Sequence, residues 1–213
     1  MLNYPITYRN EKGSALTFEE GDNNFHELDA RTVIGWRDNI VQLDVQTGNP
    51  DSPELNIFRD NIKAYCFFGG QMSEAFAAFH IDHDYALDTK IYPHLHWAIQ
   101  STEIGTIRWG IEYTVAKGHG QEPFGPTQTI YIEQTTDGTP YKHMVGESSD
   151  EDAIDGELFG IQPDTLILAR YFRDGEHPND TLQADAFVFI VDLHYQANRF
   201  ATPFKRPNFL TPP

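Results

Sequence analysis

The stretch Ile107-Arg-Trp-Gly-Ile-Glu-Tyr-Thr-Val115 decides the fold class. Ile107, Trp109, Ile111, Tyr113 and Val115 are apolar, and Arg108, Gly110, Glu112 and Thr114 between them are polar or small. Successive side chains on a strand point to opposite faces, so this order makes one face apolar and the other wet. That is the pattern of a half-buried antiparallel strand. A late stretch reads the same way, with Phe187, Phe189, Val191, Leu193 and Tyr195 expected on one face.

Outward from these two stretches, short β-like runs recur between Gly, Pro, Asn and Asp. Candidate strands cover residues 32–46, 58–68, 74–84, 91–99, 106–116, 127–134, 141–145, 165–172 and 184–196. Helix is scarce. Ser73-Glu-Ala-Phe-Ala-Ala-Phe79 has helical propensity, but its apolar run continues into His80 and Ile81, which favours strand. Many short strands with turn signals between them predict an all-β protein, an antiparallel β-sandwich of jelly-roll type. The expected organisation is an N-terminal segment over 1–57, packed with or joined to the main domain, a jelly-roll-like domain over 58–200, and an extended arm over 201–213. Residues 147–157 are rich in Asp and Glu and are expected to form a solvated loop.

The arm holds Pro203, Pro207, Pro212 and Pro213, which disfavour helix and cannot donate to a central ladder. It also carries Phe204, Phe209 and Leu210 beside the basic pair Lys205 and Arg206. These five residues are the expected contact with a neighbouring subunit or another protein surface.

The chain has 213 residues, a size that β-sandwiches reach as one domain. It carries 15 Lys and Arg against 32 Asp and Glu, a formal charge of −17. Such a field repels phosphate backbones and anionic lipid, so neither nucleic acid nor membrane is an expected partner. Cys66 is the only cysteine, which excludes an intrachain disulfide and fits maturation in a reducing cytosol. The start, Met1-Leu-Asn-Tyr-Pro5, lacks the basic and apolar regions of a signal peptide. No apolar run approaches the ~20 residues of a membrane span.

Histidine is the residue type with most chemistry to offer. His80, His83 and Asp84 lie in His-Ile-Asp-His-Asp, and His94 and His96 lie in Tyr-Pro-His-Leu-His-Trp. On a strand, His94 and His96 share one face, with Leu95 and Trp97 on the other. His194 and Asp192 share a face of the late strand. Two imidazoles and a carboxylate on one face can hold a metal. Hydrogen-bonded sheet histidines are the simpler expectation, so no metal and no cofactor is expected; His94, His96 and His194 are the residues that would hold one. The His-x-His pair invites comparison with cupins, but Glu103 comes too late for their motif, and the second cupin motif has no counterpart. No Gly-x-Ser-x-Gly elbow, P-loop or His-Glu-x-x-His occurs. The expectation is a protein that is not an enzyme.

The run His80-Ile-Asp-His-Asp84, then Ile91-Tyr-Pro-His-Leu-His-Trp97, then Trp109-Gly-Ile-Glu-Tyr113, resembles an uncharacterised family of tailed-bacteriophage virion proteins. Val191-Asp-Leu-His-Tyr195, Ala201-Thr-Pro203 and Arg206-Pro-Asn-Phe209 resemble the ending of the same family. The resemblance implies a virion structural component, most simply a capsid decoration (cement) protein on the capsid exterior, made in the host bacterial cytoplasm. It implies as partners the major capsid protein or other virion proteins, and a homo-oligomer, a trimer in first expectation. The alternative is a tail or neck module binding a receptor or glycan, with Trp36, Trp97, Tyr131 and Tyr141 stacking on sugars. A metal-dependent jelly-roll enzyme built on His94 and His96 comes third.

Overall fold

The computed structural model describes residues 12–31, 35–46 and 48–198. The chain folds into an antiparallel β-sandwich of jelly-roll type. In chain order the elements are α1 (Phe18–Arg31), β1 (Gly35–Val41), β2 (Glu54–Arg59), β3 (Ile62–Phe67), β4 (Met72–His80), β5 (Lys90–Ile99), β6 (Thr106–Lys117) and β7 (Gln128–Thr135). They continue with β8 (Met144–Glu147), β9 (Ile154–Asp155), α2 (Gly156–Phe159), β10 (Thr165–Asp174) and β11 (Ala186–Ala197). One sheet of seven strands runs β2-β3-β11-β5-β8, with β1 also on β11 and β9 also on β5. The other has four strands in the order β4-β10-β6-β7.

The core lies between the sheets. Ile107, Trp109, Ile111 and Tyr113 point into it from β6, as the alternation requires. Trp97 of β5 meets Trp109 edge to face, with ring centroids 5.8 Å apart, and Phe67 of β3 meets Trp109 at 5.4 Å. Gln134 of β7 joins the sheets: its Oε1 accepts from Trp97 Nε1 at 2.9 Å and its Nε2 donates to Val145 O at 2.7 Å.

The segment 73–79 is strand, within β4. Its residues alternate in face as a strand requires, with Ala75 and Ala77 in the core and Ala78 on the outer face. Four expectations need correction. The alternation expected from Phe187 to Tyr195 breaks, because the register of β11 against β5 shifts between Val188 and Ile190. A β-bulge there flips parity, so Phe187 joins a small outer cluster with Ala64 and Cys66 while Val191, Leu193 and Tyr195 face the core. The run 58–68 is not one strand; β2 and β3 are joined by a tight turn at Asp60 and Asn61, with Arg59 paired to Ile62 and Asp60 at φ 53°. The boundary at 57/58 therefore falls inside β2, and β1 and β2 are parts of the seven-stranded sheet.

The fourth correction concerns 147–157, which is anchored rather than free. Ile154 is fully buried, β9 pairs with β5, and Asp155 caps α2 by accepting from Leu158 N. Asp150 accepts from Tyr92 Oη at 2.5 Å, and this bond pushes the Tyr92 phenol up to about 12.

Helix α1 went unread in the sequence although its signal is present. Thr17-Phe-Glu-Glu20 forms a capping box: Glu20 N donates to Thr17 Oγ1 at 3.1 Å, and Thr17 N donates to Glu20 Oε2 at 2.8 Å. The arm residues Phe204, Lys205, Arg206, Phe209 and Leu210 lie outside the described residues.

Candidate functional site

Antiparallel pairing assembles a histidine–carboxylate cluster on the outer face of the seven-stranded sheet. Leu95 and Trp97 point into the core, so His94 and His96 point outward. On β11, Val191 and Leu193 point inward, so Asp192 and His194 point outward. Register does the rest. Asp192 stands directly across from His94, and Glu147 of β8 stands across from His94 on its other side. One row along, Asp38 of β1 faces His194, and His194 faces Tyr92.

The centre of the cluster is dry. Asp192 and His94 are only 2 % and 4 % exposed. Nε2 of His94 lies 2.5 Å from Asp192 Oδ1, and Nε2 of His96 lies 3.4 Å from Asp192 Oδ2. Despite the short approach, Asp192 Oδ1 has no aligned hydrogen-bond donor. The opposite ring nitrogens are also occupied. Nδ1 of His94 lies 3.4 Å from Tyr92 O and 3.8 Å from Glu147 Oε2. Nδ1 of His96 lies 2.7 Å from Nε2 of His143, and those two rings stack. His194 Nδ1 reaches Glu147 Oε2 at 3.1 Å, and the Trp36 ring rests against His194 with centroids 5.0 Å apart.

Burial works against the charged form of His94. The Asp192 carboxylate, helped by Tyr92 O and Glu147, outweighs it and leaves His94 above the ordinary imidazole value. For His96 burial prevails: Asp192 favours its charged form, but desolvation and the neighbouring His94 and His143 hold it below that value.

The structure thus brings together His94, His96, His194 and Asp192 and adds Glu147 and His143. Face parity made the Asp192 neighbourhood legible. Glu147 and His143 carried no signal, because the pairing of β8 with β5, which places Glu147 and the His143 just before it, joins residues about fifty positions apart in the chain. The run His80-Ile-Asp-His-Asp84 is divided. His80 and His83 gather with His119 around Asp164, with His80 Nε2 3.0 Å from Asp164 Oδ1. Asp84 instead pairs with Arg37 at 2.6 Å and accepts from Tyr195 Oη at 3.0 Å.

Of the aromatic residues expected to meet sugars, Trp97 is fully buried and cannot. Tyr131 lies under the Arg108 guanidinium at 3.8 Å, and Tyr141 lies under Arg59 at 4.7 Å and beside Phe58. A groove of about 460 Å³ opens on the four-stranded sheet, lined by Phe76, Ala78, Leu168, Gln42, Glu112 and Arg170 among others.

No family model matches the chain, and no curated protein matches it. Among solved structures it is similar to a carbohydrate-binding module, TmCBM61, in complex with β-1,4-galactotriose. The two are 13 % identical, with a TM-score of 0.30, over 77 % of this chain and 88 % of that one. It is also similar to a non-crystalline cellulose specific carbohydrate-binding module, CBM28, at 14 % identity and a TM-score of 0.34, over 75 % of this chain and 88 % of that one.

Proposed function

We propose that this chain is a structural protein of a bacteriophage virion, a capsid decoration protein that stabilises the head by burying surface against neighbouring subunits. The observation that carries the reading is a set of large apolar side chains left in water on the single chain. Phe18 and Phe25 of α1 are 96 % and 76 % exposed, and Trp36, Ile40, Leu55, Ile57 and Ile62 follow on β1 to β3. Scattered exposed apolar residues are ordinary. Others are spread along the chain, but these seven fall in the consecutive elements α1 to β3, and β1 and β2 lie on one edge of the seven-stranded sheet. Phe18 and Phe25 are seven residues apart, two helical turns, and so share a face. Burying such a side chain is worth ~1.5–3 kcal/mol, and a sheet edge is protected when another chain covers it.

Two further observations support the reading. The Pro93-His-Leu-His-Trp97 and Val191-Asp-Leu-His-Tyr195 motifs, which carry the virion resemblance, lie on the paired strands β5 and β11. The charge of −17 suits an outer surface that holds no DNA. The partners are then the major capsid protein and further copies of this chain, in a trimer. Light scattering across a concentration range, with capsid co-sedimentation, tests this. A trimer is expected, and Ile57→Asp with Ile62→Asp should weaken assembly. A strict monomer that also ignores capsids overturns the proposal.

The second reading is a tail or neck module that binds a receptor glycan. The groove over the four-stranded sheet favours it, since an apolar floor edged by a few polar side chains is the usual make-up of a small-molecule site. A glycan-array screen tests it: binding lost in Phe76→Ala supports this reading, and no binding to any glycan removes it.

A further inference from the structure

We infer that His94, His96 and Asp192 form a binding site for one divalent transition-metal ion of the zinc class. This goes beyond the assembly reading and does not depend on it. The three side chains come from adjacent strands, and their ligand atoms lie within 4.8 Å of one another. Two imidazoles and a carboxylate suit zinc and its neighbours, and three protein ligands leave a position for water.

Three observations point to a cation rather than to a plain hydrogen-bonded cluster. The first is Asp192 Oδ1, which is buried, has no aligned hydrogen-bond donor and has the His94 Nε2 atom 2.5 Å away as its contact. Buried carboxylate oxygens are seldom left so, because the desolvation is uncompensated. A cation between Oδ1 and His94 Nε2 supplies what the oxygen lacks.

The second is tautomer control. In metal sites the ring nitrogen away from the ion donates to an acceptor, which fixes the tautomer and turns the other lone pair to the metal. Both histidines have that acceptor. His94 Nδ1 faces Tyr92 O and Glu147 Oε2, and His96 Nδ1 faces His143 Nε2. Both Nε2 atoms face the Asp192 carboxylate, where a cation takes the place of a ring proton.

The third is spacing. Bonds of ~2.0–2.1 Å at tetrahedral angles put ligand atoms about 3.4 Å apart. His96 Nε2 and Asp192 Oδ2 are 3.4 Å apart, while His94 Nε2 and Asp192 Oδ1, at 2.5 Å, need to open by a side-chain rotation. The bulge just before Asp192 is what turns that residue outward to this row.

The test uses the full chain, stripped of metal and titrated with Co(II) alone. One Co(II) per chain with visible d–d absorption is expected, displaced by Zn(II). Asp192→Asn and His96→Gln should each weaken binding by about 100-fold or more, while His80→Gln, on the other sheet, should leave it unchanged. The inference is overturned if neither Co(II) nor Zn(II) is taken up, or if both site variants bind as the parent does. Should the variants fail to fold, nitrogen-15 NMR of the histidine rings in the parent protein decides. Zn(II) should move the Nε2 signals of His94 and His96 most, and binding that leaves them in place overturns the inference.

Discussion

Arg173 and Asp180 form a fork-to-fork ion pair with both side chains wholly excluded from water. Arg173 Nη2 lies 2.9 Å from Asp180 Oδ1, and Arg173 Nε lies 3.0 Å from Oδ2. The same guanidinium donates to Ala184 O at 2.9 Å, to Phe67 O and to Leu182 O. It therefore ties the end of β10 to β3 and to the chain entering β11. A buried charge that loses its partner is left uncompensated, at a cost of ~3–5 kcal/mol. Arg173→Met should lose stability of that order in urea unfolding. A loss near zero would show that the pair is not load-sharing with these carbonyls.

Gly110 lies beneath the Phe172 ring on the outer face of the four-stranded sheet, where a Cβ would come 2.0 Å from the ring carbon Cζ. Arg170 lies over that ring at 4.3 Å and Tyr131 meets it edge to face at 6.1 Å, so the ring has little room to move away. Gly110→Val should destabilise by ~1–3 kcal/mol, the usual cost of overpacking. Thermal unfolding of the single and double variants checks the cause. In the Phe172→Ala background the Gly110→Val penalty should largely vanish, and a penalty that persists would mean the clash lies elsewhere.

The Cys66 thiol is pushed up to about 11, mainly by burial and then by the negative charge of Asp185. The thiolate is the reactive form, so iodoacetamide at pH 8 should modify the native protein far more slowly than the urea-unfolded chain. The stability consequence has a definite sign. An unfolded cysteine ionises near 9.0 while the folded one keeps its proton to about 11. Between those values the folded state binds more protons, so the stabilisation present below pH 9 is lost as pH rises. Equal labelling rates in the folded and unfolded states would refute this.

Gln134→Leu should cost ~1–3 kcal/mol, because it strands the buried Trp97 Nε1 and the Val145 carbonyl together. Since Val145 lies on the short strand β8, which carries Glu147 and is preceded directly by His143, the same change should loosen the histidine cluster. Histidine ring resonances of the variant, compared with those of the parent, check this. Shifts at His143 and His96 are expected, and an unchanged spectrum would separate β8 from Gln134.

Strand-forming runs, antiparallel sandwich character and the outward direction of His94 and His96 were all legible in the sequence. Each depends on local alternation, and alternation is a property of one strand. The helix at Phe18–Arg31 was legible too, in Thr17 and Glu20, since a capping box is closed within four residues. Other features belonged to the tertiary structure alone. The bulge between Val188 and Ile190 reverses the face of Phe187, and nothing in the order of residues marks it. The placement of Glu147 and Asp192 on either side of His94 depends on which strands pair and in what register. Strand pairing is decided by how the two apolar faces close over one core, across segments remote in the chain. A sequence read strand by strand therefore determines which way a side chain points only along a regular strand, and the closed sandwich decides where a bulge reverses it and what each side chain meets.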